Sequence, residues 1–193
     1  MLIEISYGEA LDRLSILEIK MSEIHDERKR AEIQKEIESL SELGGVKAKL
    51  TYYYTLLLEV NRKIWDLTND IKSMKSTDTS FASIADKIFN LNQSRFRVKC
   101  IVNKISESRI QEQKSYGLTH VYIRLGIEHI TILLKSLSLL SLEYDIVNIS
   151  CDAYMKDYIS TQIPVFNYQF NSDRANRYIN LTESVISKDL NIS

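Results

Sequence analysis

The sequence predicts a helix-rich chain of mixed α and β structure. An antiparallel bundle of long helices, residues 1–116, precedes a small α/β unit, residues 117–193, with about three parallel strands in a half-Rossmann-like arrangement. Two observations lead there. Apolar residues recur at helical spacing before Tyr116-Gly117 and in a strand–helix–strand order after it. Glycine and proline are scarce, at five and one, so few turns are forced and long helices are expected.

The first helical element spans residues 6–43. Ser6-Tyr7-Gly8-Glu9 fits a capping box, in which the serine hydroxyl accepts from the Glu9 amide and the glutamate reaches back to the serine amide. Glu9 and Arg13, four apart, are placed to pair along the surface. Leu14, Leu17, Met21 and Ile24 mark one apolar stripe, and Ile33, Ile37 and Leu40 another. At about 100° per residue, position 33 faces away from position 24. The element is therefore expected to kink or break in the polar stretch His25 to Arg30, and Gly44-Gly45 is expected to end it.

The next two helices carry regular seams. Leu50, Tyr53, Leu57, Val60, Ile64, Leu67, Ile71 and Met74 step by three and four without a miss. Phe81, Ile84, Ile88, Leu91, Arg95, Val98, Val102 and Ile105 repeat the pattern, with Arg95 as its one polar member. Such spacing is a coiled-coil seam, and the short linker 75–80 predicts antiparallel neighbours. Trp65 reads as a core or contact residue. Of Tyr52-Tyr53-Tyr54, which point three ways round a helix, one is expected in the core.

After Gly117 come strand 119–125, an apolar helix 127–144, strand 145–151, a short helix capped by Asp152, and strand 163–170. Residues 172–190 have helical spacing at Ile179, Val185, Ile186 and Leu190. Strands separated by helices of this length make parallel βαβ units.

Composition narrows the function classes. A net charge of −1 gives no general reason to bind nucleic acid or an anionic membrane. The one basic run, Arg28-Lys29-Arg30, sits among acids and reads as a solvated helix face. The segment Ile127 to Leu142 is too short and too polar to span a bilayer, and Glu4 and Glu9 interrupt any signal-like run. Cys100 and Cys151 form no disulfide framework. The expected location is the cytoplasm, with no membrane insertion.

Two constellations could carry function. Arg95, in a seam, needs buried carboxylate or amide partners, and Asp12, Asp66, Asp70, Asn61 and Asn92 are candidates. That cluster either fixes helix register or lines a polar pocket for a small anion or sugar. Glu128, with His129 beside it, follows Gly126 at a strand's carboxyl end, where open parallel sheets bind ligands. Glu128 is the candidate acid–base residue there; otherwise it is an ordinary first-turn glutamate. The histidines and cysteines lack metal-ligand spacing, so no metal is expected. P-loop and α/β-hydrolase signatures are missing from the sequence.

The opening Glu4-Ile5-Ser6-Tyr7-Gly8-Glu9-Ala10-Leu11-Asp12-Arg13-Leu14-Ser15-Ile16-Leu17-Glu18-Ile19-Lys20 resembles that of an uncharacterised helical family, a domain of unknown function with the pattern E-I-S-x-G-E-L-L-D-K-L-x-I-L-E-I-K. Asn61, Trp65, Asp66 and Asp70, then Asn92 and Arg95, then Glu112, Lys114, Ser115 and Tyr116 match its later motifs, so the resemblance spans residues 1–117. It implies no known reaction, but a link to glycan synthesis. The remainder resembles the start of a B-fold glycosyltransferase, whose G-L-G-D-x-I turn is approximated by Leu125-Gly126-Ile127-Glu128-His129-Ile130, with the second glycine missing.

The preferred expectation is a non-catalytic helical interaction module tied to sugar transfer, without a cofactor, acting as a homo-oligomer or with a protein partner through its helices. The alternatives are a glycosyltransferase-like protein that completes its site by oligomerisation or with a partner chain, using a nucleotide-sugar and Glu128, and a plain coiled-coil scaffold.

Overall fold

The computed structural model describes residues 4–112, 118–126, 133–162, 168–170 and 179–180. The chain divides into two compact units, Met1–Gln113 and Lys114–Ser193. It is helix-rich, with one small parallel sheet. Among the described residues no helix is long and apolar enough to cross a membrane.

The first unit holds α1 (Tyr7–Glu23), α2 (Glu27–Ser39), a 3-10 turn (Ser41–Leu43), α3 (Gly44–Lys49), α4 (Thr51–Lys72) and α5 (Phe81–Ile105). The expected break falls between α1 and α2, where Ile24 turns extended and Asp26 Oδ1 accepts from the Lys29 amide at 2.8 Å to cap α2. The Arg30 guanidinium donates to the carbonyls of Met21 and Ile24, closing the end of α1. One member of the basic run is thus a helix cap and not a solvated charge; Arg28 and Lys29 are exposed.

Two expectations fail in this region. Gly44-Gly45 opens α3 and does not end the preceding helix, which stops at Ser39; Gly44 has φ −53°, an ordinary helical value. Tyr53 and Tyr54 are both buried, and only Tyr52 is exposed. Two tyrosines fit because Tyr54 meets α1 and α3: Lys47 of α3 lies 4.2 Å over its ring and pairs with Glu18 of α1 at 2.6 Å.

The core of this unit is made by α1, α4 and α5, each packed on the other two. Leu11, Leu17 and Ile19 of α1, Leu57 and Val60 of α4, and Val98, Ile101 and Val102 of α5 are buried. Each such side chain contributes roughly 1.5–3 kcal/mol relative to exposure. The seams are buried unequally. Leu50, Tyr53, Leu57 and Val60 are enclosed, whereas Ile64, Leu67, Ile71 and Met74 are half-buried. On α5, Val98 and Val102 are enclosed and Phe81, Ile84, Ile88 and Leu91 are half-buried. Helix length explains this: at about 1.5 Å per residue, a 17-residue α1 is too short to cover a 25-residue α5.

The second unit holds β1 (His120–Arg124), α6 (Leu133–Glu143), β2 (Ile146–Ser150), α7 (Ala153–Gln162), β3 (Tyr168–Phe170) and β4 (Ile179–Asn180). The sheet order is β3-β2-β1-β4, and every pairing is parallel. The expected helix over 172–190 is wrong at Ile179-Asn180, which pair with Ile123 and Arg124 as a fourth strand. A two-residue strand leaves no period to read, and the open edge of β1 supplies the hydrogen bonds that decide it. The other residues of that stretch, and the start of the expected helix 127–144, lie outside the described residues. Val121, Ile123, Val147 and Ile149 form the buried centre, with Leu137, Met155 and Ile159 of the helices.

Candidate functional site

The polar cluster sits where α1 meets α4 and α5. Asp12 is 1 % exposed among the leucines of α1. Arg95 grips its carboxylate: Nε donates to Oδ1 at 2.8 Å and to Oδ2 at 3.0 Å, and Nη2 donates to Oδ2 at 2.5 Å. Asn61 of α4 donates to Asp12 Oδ1 at 2.8 Å and to Ser15 Oγ at 2.7 Å, and the Ser15 hydroxyl donates to the Asp12 carbonyl. Asn92 completes the group, with Oδ1 3.5 Å from Arg95 Nη1. One carboxylate therefore joins three helices. The hydrogen bond to Asp12, chiefly, holds the Arg95 guanidinium even more firmly protonated than usual.

The cluster continues toward the start of α1. Lys99 is mostly buried and pairs with Glu9 at 2.8 Å and with Glu112 at 2.5 Å. Burial works against its charge, but hydrogen bonds to Glu112 and then Glu9 outweigh it and raise the ammonium above the ordinary lysine range. One turn on, Asn103 Oδ1 accepts from the Gly8 amide at 2.7 Å, and Ser108 Oγ accepts from the Tyr7 amide at 3.2 Å. Ser6 Oγ accepts from the Glu9 amide at 3.1 Å, which is the first half of the expected capping box; the second half does not form among the described residues, because the Glu9 carboxylate turns to Lys99 and not back to the Ser6 amide. The Glu9 carboxylate goes to Lys99 and Arg13 goes to Glu36 at 2.6 Å, so the expected Glu9–Arg13 pair does not form. Both find partners on other helices.

Gly8 has a specific reason to lack a side chain. A Cβ there would lie 2.5 Å from the Lys99 carbonyl oxygen and 2.8 Å from Asn103 Oδ1. Asn103 and Ser108 are themselves set by the end of α5. Ser108 N donates to the Asn103 carbonyl and Glu107 N to the Lys104 carbonyl, the two bonds of a Schellman motif. Glu107, at φ 50°, occupies the position usually given to glycine.

These contacts explain what the cluster can do. The free amides of the first turn of α1 are occupied by side chains, so this helix end offers no open anion cradle. Asp12, Glu9 and Glu112 outweigh Arg95 and Lys99 in charge. The arrangement is a self-satisfied lock between helices. Residues 1–123 match a family of unknown function, DUF6165. The chain belongs to that family. The chain's opening residues serve packing: Ser6 caps, Gly8 admits α5, Glu9 meets Lys99 and Asp12 anchors Arg95. No curated protein and no solved structure matches the chain.

The structure brings together Asp12, Asn61, Asn92 and Arg95 from the expected set. Asp66 and Asp70 are exposed on α4 and stand outside it, because they lie on the helix face turned from Asn61 toward solvent. Lys99, Asn103 and Ser15 were not anticipated. The signal for two of them was available: Asn92, Arg95, Lys99 and Asn103 step by three, four and four along one face of α5. Gly126 follows β1 and is half-buried; Glu128 and His129 lie outside the described residues. Among the described residues no group of three or more His, Cys, Asp or Glu is placed to hold a metal.

Proposed function

We propose that this chain is a non-catalytic helical interaction module that works in the cytoplasm in glycan synthesis or sugar transfer. In this reading α1, α4 and α5 form an antiparallel bundle, and the outer half of the α4–α5 pair takes a second copy of the chain. One observation carries it: the seam residues from Ile64 to Leu91 remain half-buried, and Phe89 beside them is 58 % exposed. A three-and-four seam gains its stability only when a facing helix fills it. The self-satisfied cluster around Asp12 fits an architectural use of the polar residues. The sugar link rests on two resemblances, that of residues 1–117 to a helical family tied to glycan synthesis and that of the remaining residues to the start of a B-fold glycosyltransferase. Light scattering tests the association: the chain is expected to be a dimer, and Ile88→Ser with Phe89→Ser to be a monomer of intact helicity. A monomeric wild type at every concentration would remove the reading.

A second reading has its own support. The order β3-β2-β1-β4, all parallel, corresponds to the first four strands of a doubly wound Rossmann-like sheet, whose switch point lies between β1 and β4. Gly126 follows the carboxyl end of β1, and Glu128 and His129 come next in the chain. A sugar-transfer site completed by a second copy or partner chain would use Glu128 as its acid–base group. Calorimetry with nucleotide-sugars tests it, with binding expected to weaken in Glu128→Gln; a flat titration of the wild type counts against it.

A further inference from the structure

Helix α2 folds back on α1. Arg13 of α1 meets Glu36 of α2, and Arg30 of α2 reaches the Met21 and Ile24 carbonyls at the end of α1. An open groove of about 580 Å³ lies between the end of α1 and the start of α2. Its apolar lining is Ile24, half-buried, and Ile33, the one buried residue of α2. Its cations are Lys20 of α1 and Arg28 and Lys29 of α2. Among the described residues none of these three side chains makes an ion pair or a hydrogen bond. The two acids that line the groove are engaged: Asp26 Oδ1 accepts from the Lys29 amide to cap α2, and Glu32 pairs with Lys35 at 2.8 Å. The groove therefore joins an apolar centre to a surplus of unpaired positive charge.

A surface of the opposite kind lies on α4. Glu59, Lys63, Asp66 and Asp70 step by four, three and four, so at about 100° per residue they share one face. The three acids are exposed, and none of them is in an ion pair among the described residues. Lys63 is the one cation of the four. Leu67, Ile71 and Met74 run beside Asp66 and Asp70 and remain half-buried. One surface is an apolar stripe edged with carboxylates, and the other an apolar groove edged with ammonium and guanidinium groups. They are complementary in charge and in polarity.

We propose that the α1–α2 groove receives α4 of a second copy of the chain, with Asp66 and Asp70 against Lys20, Arg28 and Lys29. This rests on the self-association proposed above and names the surface that takes the outer end of α4. In a two-fold pair each groove takes the other copy's helix, so the contact is made twice. Burial of the apolar stripe supplies the affinity, because exposed ion pairs contribute little of it. The charges select the partner and fix its orientation. A nucleic-acid strand fits poorly, since Asp26 and Glu32 stand among the cations that its phosphates would need. A lipid chain fits poorly too, since an open groove leaves it in water.

Sedimentation velocity on the full chain tests this. Asp66→Lys with Asp70→Lys, and separately Arg28→Glu with Lys29→Glu, set like charges across the contact. Each pair is expected to weaken the dimer about tenfold or more. All four changes together reverse both sides and should return the dissociation constant to within about threefold of the wild type. The substituted positions are exposed and helical, so circular dichroism should show unchanged helicity. Dimers as tight as the wild type in both pair variants would overturn the proposal, as would weakened dimers that the combined variant does not restore. If the charge pairs leave the dimer intact while Ile88→Ser with Phe89→Ser splits it, the seam reading stands and the groove falls. The reverse result keeps the groove and removes the seam. A wild type that is monomeric at every concentration would end both.

Discussion

Arg95 of α5 and Asp12 of α1, 83 residues apart in sequence, meet in a two-pronged ion pair at 2.8 and 2.5 Å. The carboxylate is almost wholly buried, and the guanidinium keeps about a quarter of its surface in water. The two ends are therefore unequal. Arg95→Met strands a buried charge with Asn61 as its remaining side-chain donor, whereas Asp12→Ala leaves a guanidinium that can turn toward solvent. Arg95→Met is expected to cost about 3–5 kcal/mol and Asp12→Ala somewhat less. A double-mutant cycle read by urea denaturation should return a coupling of about 1–3 kcal/mol. Additive losses would mean that the pair is ornamental.

Gly8→Ala makes a sharper test of how closely α1 and α5 approach. Alanine gains up to about 1 kcal/mol in helix propensity over glycine. Against that, its Cβ would meet the Lys99 carbonyl at 2.5 Å, and backbone in mid-helix cannot swing aside. Overpacking of this kind costs typically 1–3 kcal/mol, occasionally more. The loss wins, and a net destabilisation of about 1–2 kcal/mol is expected in thermal or urea unfolding. An unchanged or raised midpoint would show that the helices separate freely here.

The sequence made part of this region legible. Arg95 could be singled out because a cation in an apolar seam has few ways to be satisfied, and Asp12 followed as a partner one position off the solvent face. Glu9 and Arg13 were misread because an i, i+4 pair is local, while their partners Lys99 and Glu36 come from other helices that a one-dimensional reading does not place nearby. Gly44-Gly45 misled for a related reason: glycine permits a left-handed stop but does not compel one, and both residues entered a helix. In the second unit β1 and β2 announced themselves through β-branched and aromatic runs. Residues 179–180 did not, since a strand that short is defined by its neighbour and not by its own composition.

Glu107 offers a stabilising change. It holds φ 50° at the end of α5, where a side chain costs about 1–2 kcal/mol in left-handed geometry. Its amide already makes the motif's bond to Lys104, and Ser108 depends on the turn to receive the Tyr7 amide. Glycine removes the Cβ strain and returns part of the gain through its freer unfolded chain. Glu107→Gly is expected to add about 0.5–1 kcal/mol to stability, read as a higher urea midpoint at unchanged slope. Glu107→Ala retains the Cβ and should gain nothing, which separates backbone strain from removal of a surface charge.

Alkaline stability should depend on Tyr54. Its ring is enclosed under Lys47, and among the described residues its hydroxyl makes no hydrogen bond, although the Glu18 carboxylate lies near. Burial first, and then Glu18, push the phenol well above the ordinary tyrosine range. The unfolded phenol loses its proton near pH 10. Above that value the folded chain binds the extra proton, so stability falls as pH rises. Lys99 acts in the same direction. Its raised ammonium contributes stability that is complete below the unfolded lysine value of about 10.4 and is lost as pH climbs through the folded value. Tyr54→Phe removes the first contribution and a buried hydroxyl without a partner, so it should equal or slightly exceed the wild type at neutral pH, by up to about 1 kcal/mol. Urea midpoints followed from neutral pH to about pH 11 should fall less steeply for Tyr54→Phe, beginning near pH 10. A slope identical to that of the wild type would mean that Tyr54 ionises in the folded chain as readily as in the unfolded one, through an opening of the α1–α3–α4 junction around Lys47.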